Sequence, residues 1–479
     1  MKRLSLLTIS VVALLAAGCK TDTNPILTIE GGQVQGVPTE TKGVTVYRGI
    51  PYAAAPTGEN RWKEPQAVTP WEGVKIADTF SAASYQLKHD KSNSYTSEFF
   101  YEGDPEFSED CLYLNVWTPA PGKVGEKLPV AIWIHGGAYT GGWGFEREMD
   151  GEAWAERGVV LVTINYRLGI FGFLSHPLLS AESSYGASGN YGILDQIAAL
   201  KWISNNIEQF GGDPDNITIF GQSAGAGSVM NLVSSPLTGD MIKKAIIMSG
   251  GGISRSPMLD ATSGNEALVQ NAKTMFDWAG FDTVEKMREA STEIVFGLPA
   301  SYASQNGAPL RITTSPIVDN YMATESFSSA AINGRIKNIP YMIGSVRDDL
   351  GSLGAGISNF CNLREEAGIP AYAYQFARPL PDNEPSTHNL HGAFHSSELW
   401  YVFHTLKNSD RPFTDVDDEL SQQMVDAWTN FVKNGNPNGG RVENWTPLTK
   451  ENPEYMIFKL NDDDSAVASG MGDMIPSQR

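Results

Sequence analysis

Cysteine is scarce in this chain, three in 479 residues. That number leaves no disulfide framework of the kind that staples small secreted folds. Cys19 sits at the end of an N-terminal apolar run, and Cys111 and Cys361, far apart in sequence, are expected as two buried free thiols. Basic side chains are outnumbered, 35 Lys and Arg against 55 Asp and Glu, for a formal net charge of −20. Such a balance argues against nucleic acid or an anionic membrane surface as partner, and points to a solvated acidic exterior. No apolar run beyond the N-terminus is long enough to span a bilayer. There are no internal repeats. The only acidic tract, Asp462-Asp-Asp464, reads as a solvated turn rather than a metal loop. What remains is a 41% hydrophobic composition, enough for a sizeable core.

The N-terminus has the form of an export signal, with Met1-Lys2-Arg3 followed by an apolar stretch from Leu4 to Ala17. Leu14-Leu-Ala-Ala-Gly-Cys19 resembles a bacterial lipobox, although Ala16 stands where leucine is commoner. The expectation is a signal peptide over 1–19, lipid on Cys19, and residues 20–479 as one folded domain tethered to the cell envelope. Membrane contact would be through that anchor only, and Lys20 favours sorting to an outer membrane. A plain secretory signal is the competing reading.

Further along, strand-like apolar runs alternate with helical patterns. Tyr113–Trp117, Pro129–Ile134, Val159–Asn165, Ile217–Phe220, Lys243–Met248, Ile339–Val346 and Ala371–Phe376 read as buried strands. Residues 191–210 read as a helix with Ile193, Ile197, Leu200 and Ile203 on one face. Residues 86–108 read as an irregular excursion and 262–296 as a helical segment, and 86–108 and 262–335 are expected as cap segments around the sheet. This alternation predicts an α/β fold with a mostly parallel sheet covered on both faces.

Two loops carry chemistry. Gly221-Gln-Ser-Ala-Gly225, after a β-branched strand and before the small-residue helix from Ala226 to Val233, is a G-x-S-x-G nucleophile elbow. The sharp turn projects the Ser223 hydroxyl clear of the backbone, and the N–H of Ala224 points toward a developing oxyanion. His135-Gly-Gly-Ala-Tyr-Thr-Gly-Gly142 directly follows a strand and exposes further N–H groups, without the G-K-[ST] ending of a phosphate loop. An activated serine needs a base, and the base an orienting acid. Of the histidines after Ser223, His388 and His391 lie in a polar segment, and His404 reads as helical. His395 falls where a loop after a strand gives way to a helix-like run from Glu398. The acid is expected after Ile339–Val346, where Asp348 and Asp349 both stand; these residues alone do not choose between them.

The chain resembles the type-B carboxylesterases, the family that includes the cholinesterases, from about Gly31 to Leu460. The residues carrying the likeness are Tyr47-Arg-Gly-Ile-Pro-Tyr-Ala53, Glu109-Asp-Cys-Leu-Tyr-Leu-Asn115, His135-Gly-Gly-Ala138, Asn165-Tyr-Arg-Leu-Gly169, Gly189–Gln196, Phe210-Gly-Gly-Asp-Pro214 and the elbow itself. The resemblance implies an α/β-hydrolase fold with helical cap insertions, and a serine esterase acting on small-molecule esters. Its acid motif falls on Gly344–Leu350 and selects Asp349; its H-x-x-E motif falls on His395 and Glu398. It implies an oxyanion hole at Gly137, Ala138 and Ala224, and supporting positions at Ser228, Ser249 and Glu398 that buttress the histidine. No metal or organic cofactor is called for. Glu109 and Asp110 are expected as structural ion-pair partners.

Four departures stand out against that family. Gln222 replaces a glutamate before the nucleophile, which disfavours quaternary ammonium esters, and Leu350 replaces a glycine after the acid. Ser84 replaces the cysteine that pairs with the one matching Cys111. The segment from Asp349 to His395, 46 positions, is about half the family's length. A shortened wall predicts an open, shallow site or a poorly supported histidine, and it keeps a non-catalytic, cholinesterase-like binding protein at the cell surface as the second reading. The His-Gly-Gly-Ala loop resembles those of esterases that accept bulky alcohols.

Overall fold

The computed structural model describes residues 24–90, 92–100, 103–253, 262–263, 266–383 and 390–478. The expected leader with Cys19 and Lys20, and His388, lie outside the described residues. An eleven-stranded sheet organises the molecule. In chain order its strands are β1 (Val37–Pro38), β2 (Thr45–Pro51), β3 (Tyr113–Thr118), β4 (Leu128–Ile134), β5 (Val160–Ile164), β6 (Gly212–Gln222), β7 (Lys244–Met248), β8 (Tyr341–Val346), β9 (Tyr372–Phe376), β10 (Tyr455–Phe458) and β11 (Gly470–Gly472). Their spatial order is β11-β10-β9-β8-β7-β6-β4-β5-β3-β2-β1. From β5 through β10 the pairings are parallel. Both margins are antiparallel. This is the α/β-hydrolase fold.

The strands read as unbroken apolar runs because both faces are buried. Val130, Ile132 and Ile134 of β4 join one core with Ile217 and Ile219. Ala131 and Trp133 join a second core on the opposite face with Phe220 and Met248. The first face is covered by α2 (Tyr191–Asn206), α3 (Ala224–Ser234) and α7 (Gly354–Glu366). Ile193, Ile197, Leu200 and Ile203 are all buried there, and α2 ends in a 3₁₀ turn, Ile207–Phe210. The second face is covered by α8 (Leu399–Val402) and α9 (Asp415–Asn434). Helix α9 is bounded by a Thr414–Asp417 capping box and by Gly435 at φ 78°, the start and stop chemistry of an isolated helix.

Cap helices α4 (Glu266–Trp278), α5 (Val284–Glu289) and α6 (Thr292–Asn306) form a separate apolar cluster around Phe276, Met287 and Val295. The excursion expected to be irregular contains a helix, α1 (Ser94–Phe99), whose N-cap Asn93 accepts from Tyr95 N and Thr96 N. Phe99 stacks on Trp400 of α8 at 5.7 Å. Packing rather than periodicity makes this six-residue helix. A fully buried pair fixes it further: Arg411 donates to both carboxylate oxygens of Glu98, at 2.8 and 2.6 Å. His404, expected inside a helix, lies beyond the end of α8 with φ 56°, where a left-handed turn stops the helix.

Glu109 is ion-paired with Arg61 at 2.6 Å, whereas Asp110 makes no ion pair among the described residues and lies beside Tyr113. Cys111 and Cys361 are buried free thiols. Replacing Arg411 with Met would leave Glu98 as an uncompensated buried charge, so Arg411→Met is expected to destabilise by about 3–5 kcal/mol. Arg411→Met/Glu98→Gln should recover most of that loss, both read from urea unfolding.

Candidate active site

Ser223 occupies the turn between β6 and α3 at φ 58°, ψ −123°, a conformation strained for any residue with a Cβ. It persists because both ends of the turn are locked: Ser223 N donates to Met248 O at 2.9 Å, and Gly227 N donates to Ser223 O at 3.0 Å. Gly225 must lack a side chain, since a Cβ there would overlap the carbonyl oxygens of Ile134 and His135. That close approach brings the loop after β4 beside the elbow.

In this loop Gly137 has φ 93° and Ala138 φ 54°. Among the described residues, the N–H groups of Gly137, Ala138 and Ala224 donate to no protein acceptor. The loop is braced from below. His135 donates from Nδ1 to Gly136 O at 2.9 Å and stacks on Tyr166, while burial lowers its pKa to about 4 and keeps it neutral. Gln86 brackets the far end, accepting from Gly142 N at 2.8 Å and donating to Gly142 O at 3.1 Å.

The turn after β8 resolves the choice of aspartate. Asp349 Oδ1 lies 2.6 Å from His395 Nδ1, and Asp349 Oδ2 accepts from Ser249 Oγ at 2.7 Å. Asp348 points elsewhere. It is held by Arg347, by Ala393 N at 2.9 Å, by Ser477 Oγ at 3.1 Å and by Gln478 N at 2.9 Å. Burial would raise its pKa, but these hydrogen bonds and the guanidinium charge outweigh burial and hold it at about 2. Asp348 thereby ties the acid turn to the backbone two residues before His395.

With Asp349 on Nδ1, the base-competent nitrogen of His395 is Nε2. Among the described residues no hydrogen bond joins it to Ser223 Oγ, a common condition of catalytic pairs before substrate binds. Gln222 Nε2 lies 3.3 Å from Nε2 and 3.5 Å from Nδ1.

Of the three positions expected to buttress the histidine, Ser249 does so through Asp349. Ser228 instead accepts from Gln196 Nε2 at 2.9 Å and links α3 to α2. Glu398 is fully buried, with both carboxylate oxygens unpartnered by protein. Burial first, and the Asp349 charge second, push its pKa up to about 8. It therefore stays protonated near neutrality and adds no second charge beside Asp349. Glu146 and Glu148 are likewise buried and raised by burial, so this pair holds a proton near neutrality.

Tyr95, Ser396, Gln86 and the Glu146–Glu148 pair carry no sequence signal of their own. Only the adjacency of Ser396 to His395 and of Gln222 to Ser223 could have drawn attention to that side of the site. The mouth is open, with Gly137 and Ala138 exposed and the Leu350 side chain 77% exposed.

An α/β-hydrolase sheet here gathers an elbow serine, a histidine–aspartate pair and a loop of free N–H groups in one place, the layout of a hydrolase site. Comparison with known proteins agrees: the model of the Carboxylesterase family matches residues 23–355 and 351–472. The para-nitrobenzyl esterase of Bacillus subtilis (strain 168) is 33% identical over 494 residues, covering 91% of this chain and 95% of that protein. The fumonisin B1 esterase of Sphingopyxis macrogoltabida is 32% identical over 498 residues, covering 92% and 87%. Among solved structures, a thermophilic pNB esterase superposes with TM-score 0.77 at 29% identity, covering 94% of this chain and 98% of that one. A carboxylesterase of Geobacillus stearothermophilus gives TM-score 0.74 at 30% identity, covering 93% and 97%. The chain belongs to the carboxylesterase family, the carboxylic ester hydrolases of this fold.

Glu398 also makes stability depend on pH. Its folded pKa of about 8 lies above the ordinary 4.5, so between those values the folded state binds more protons than the unfolded chain. Stability from this group falls as pH rises through that window. Glu398→Gln is expected to flatten the decline between pH 5 and pH 8 in urea unfolding, whatever its effect on stability at pH 5.

Proposed function

We propose that Ser223, His395 and Asp349 form the catalytic triad of a serine esterase that works through an acyl-enzyme. The observation that carries this reading is the 2.6 Å contact between Asp349 and His395 Nδ1, which sets the ring tautomer beside a strained elbow serine. In the first half-reaction Ser223 Oγ attacks the ester carbonyl carbon and His395 Nε2 takes the hydroxyl proton. The C–O bond to the alcohol then breaks as His395 returns that proton to the departing oxygen. The N–H groups of Gly137, Ala138 and Ala224 bind the tetrahedral oxyanion, the step at which fixed dipoles contribute most. Water repeats the sequence to release the acid.

The exposed oxyanion loop and Leu350 favour esters with bulky alcohol portions, and Gln222 in place of a carboxylate favours neutral over cationic ones. The names of the relatives point the same way, to para-nitrobenzyl and fumonisin B1 esters. We also propose that the mature chain begins at a lipid-modified Cys19 and works at the cell envelope, a reading supported by the basic and apolar leader that ends in Gly18-Cys19.

Protein beginning at Lys20 is expected to hydrolyse short-chain p-nitrophenyl esters with turnover that is lost in Ser223→Ala and falls by roughly 10³-fold or more in Asp349→Asn. Absence of turnover in well-folded protein, even with reactive esters, would rule the esterase mechanism out. For the anchor, full-length protein should partition into detergent and Cys19→Ser into the aqueous phase. Equal partitioning of the two would remove the lipid.

A further inference from the structure

The position of Gln222 against His395 has a geometric consequence. Its Nε2 is nearly equidistant from both ring nitrogens, 3.3 and 3.5 Å. In the plane of the imidazole an atom so placed would overlap Cε1 on one side or the ring carbons on the other, so the amide must stand over the ring face. The in-plane lone pair of Nε2 is then left free of the amide. Gln222 is itself held: Ser396 Oγ donates to its Oε1 at 3.1 Å, and Tyr95 Oη donates to Ser396 Oγ at 2.9 Å. The Tyr95 phenol carries its proton at neutral pH, so its hydroxyl can serve as the donor.

Tyr95 belongs to α1, the cap helix docked by the buried Glu98–Arg411 pair and by Phe99 on Trp400. One run of hydrogen bonds thus leads from the cap to the face of the base. The segment between acid and histidine is short here, and this run supplies a second support to the ring besides Asp349.

We propose that Gln222 is a positioning residue that clamps the ring plane of His395, and that Tyr95 on the cap helix holds the clamp in place through Ser396. The proposal rests on His395 being the general base of the esterase. The other ionisable groups around the cluster are Asp349 on the Nδ1 edge, Glu398 at the start of α8, and Glu146 and Glu148 toward Tyr95.

The test compares kcat and KM for a p-nitrophenyl ester in wild type, Gln222→Met, Tyr95→Phe and Gln222→Glu. Gln222→Met and Tyr95→Phe should lower kcat by about five- to twentyfold with KM within about twofold and an unchanged Tm, because a loosened base loses alignment and not substrate affinity. Gln222→Met/Tyr95→Phe should be no worse than Gln222→Met alone, since both act through one contact. Gln222→Glu keeps an acceptor for Ser396 and should restore most of kcat. It should also move the acid limb of the rate profile to higher pH, because a carboxylate against the ring face favours the imidazolium.

Wild-type kcat in Gln222→Met and Tyr95→Phe, or losses that multiply in the double variant, would overturn the clamp while leaving the esterase intact. A readout independent of turnover is the low-field proton NMR signal of the His395–Asp349 hydrogen bond. Faster exchange in Tyr95→Phe supports the clamp, and an unchanged signal refutes it even in a protein without activity.

Discussion

The strained turn at Ser223 is the constraint on which the site depends. A residue with a Cβ at φ 58° is tolerated only where its surroundings over-determine it. Here the surroundings are a strand buried on both faces, a helix that starts at once, and a backbone approach so close that Gly225 has no room for a side chain. The same approach sets the distance between the elbow and the glycine-rich loop after β4. Among the described residues, the N–H of Ala224 is free because it opens a helix, and those of Gly137 and Ala138 because their left-handed loop gives them no carbonyl partner.

Around this turn, environment divides labour among chemically similar groups. Asp348 and Asp349 are neighbours, yet one meets a guanidinium and backbone donors and becomes a brace, while the other meets an imidazole and a serine hydroxyl. Glu398 and His135 are both kept neutral by burial, from opposite directions of shift. Neither therefore adds a charge beside Asp349 near neutral pH. The brace at Asp348 also answers the shortened acid-to-histidine segment, since it joins the acid turn, the histidine loop and residues Ser477 and Gln478 through hydrogen bonds to one buried carboxylate.

Much of the sheet was legible because parallel strands buried on both faces read as continuous Val, Ile and aromatic runs. The α2 stripe of Ile193, Ile197, Leu200 and Ile203 was legible for the matching helical reason. Helix α1 was not: six residues hold no period, and its stability comes from Asn93, Phe99 on Trp400 and Arg411, two of them hundreds of residues away. His404 was misplaced because an apolar run does not reveal the left-handed residue that ends it.

By itself the sequence determined the fold class, the elbow serine, the glycine-rich loop and the order in which serine, acid and histidine follow one another, since each depends on residues adjacent in the chain. Only the tertiary structure decided which aspartate faces His395, that Ser228 meets Gln196 of α2, and that Tyr95 reaches His395 through Ser396 and Gln222. The physical reason is range. A turn or a buried strand is specified by neighbours a few positions apart, whereas a hydrogen bond across 301 positions exists only after the core has brought its two ends together.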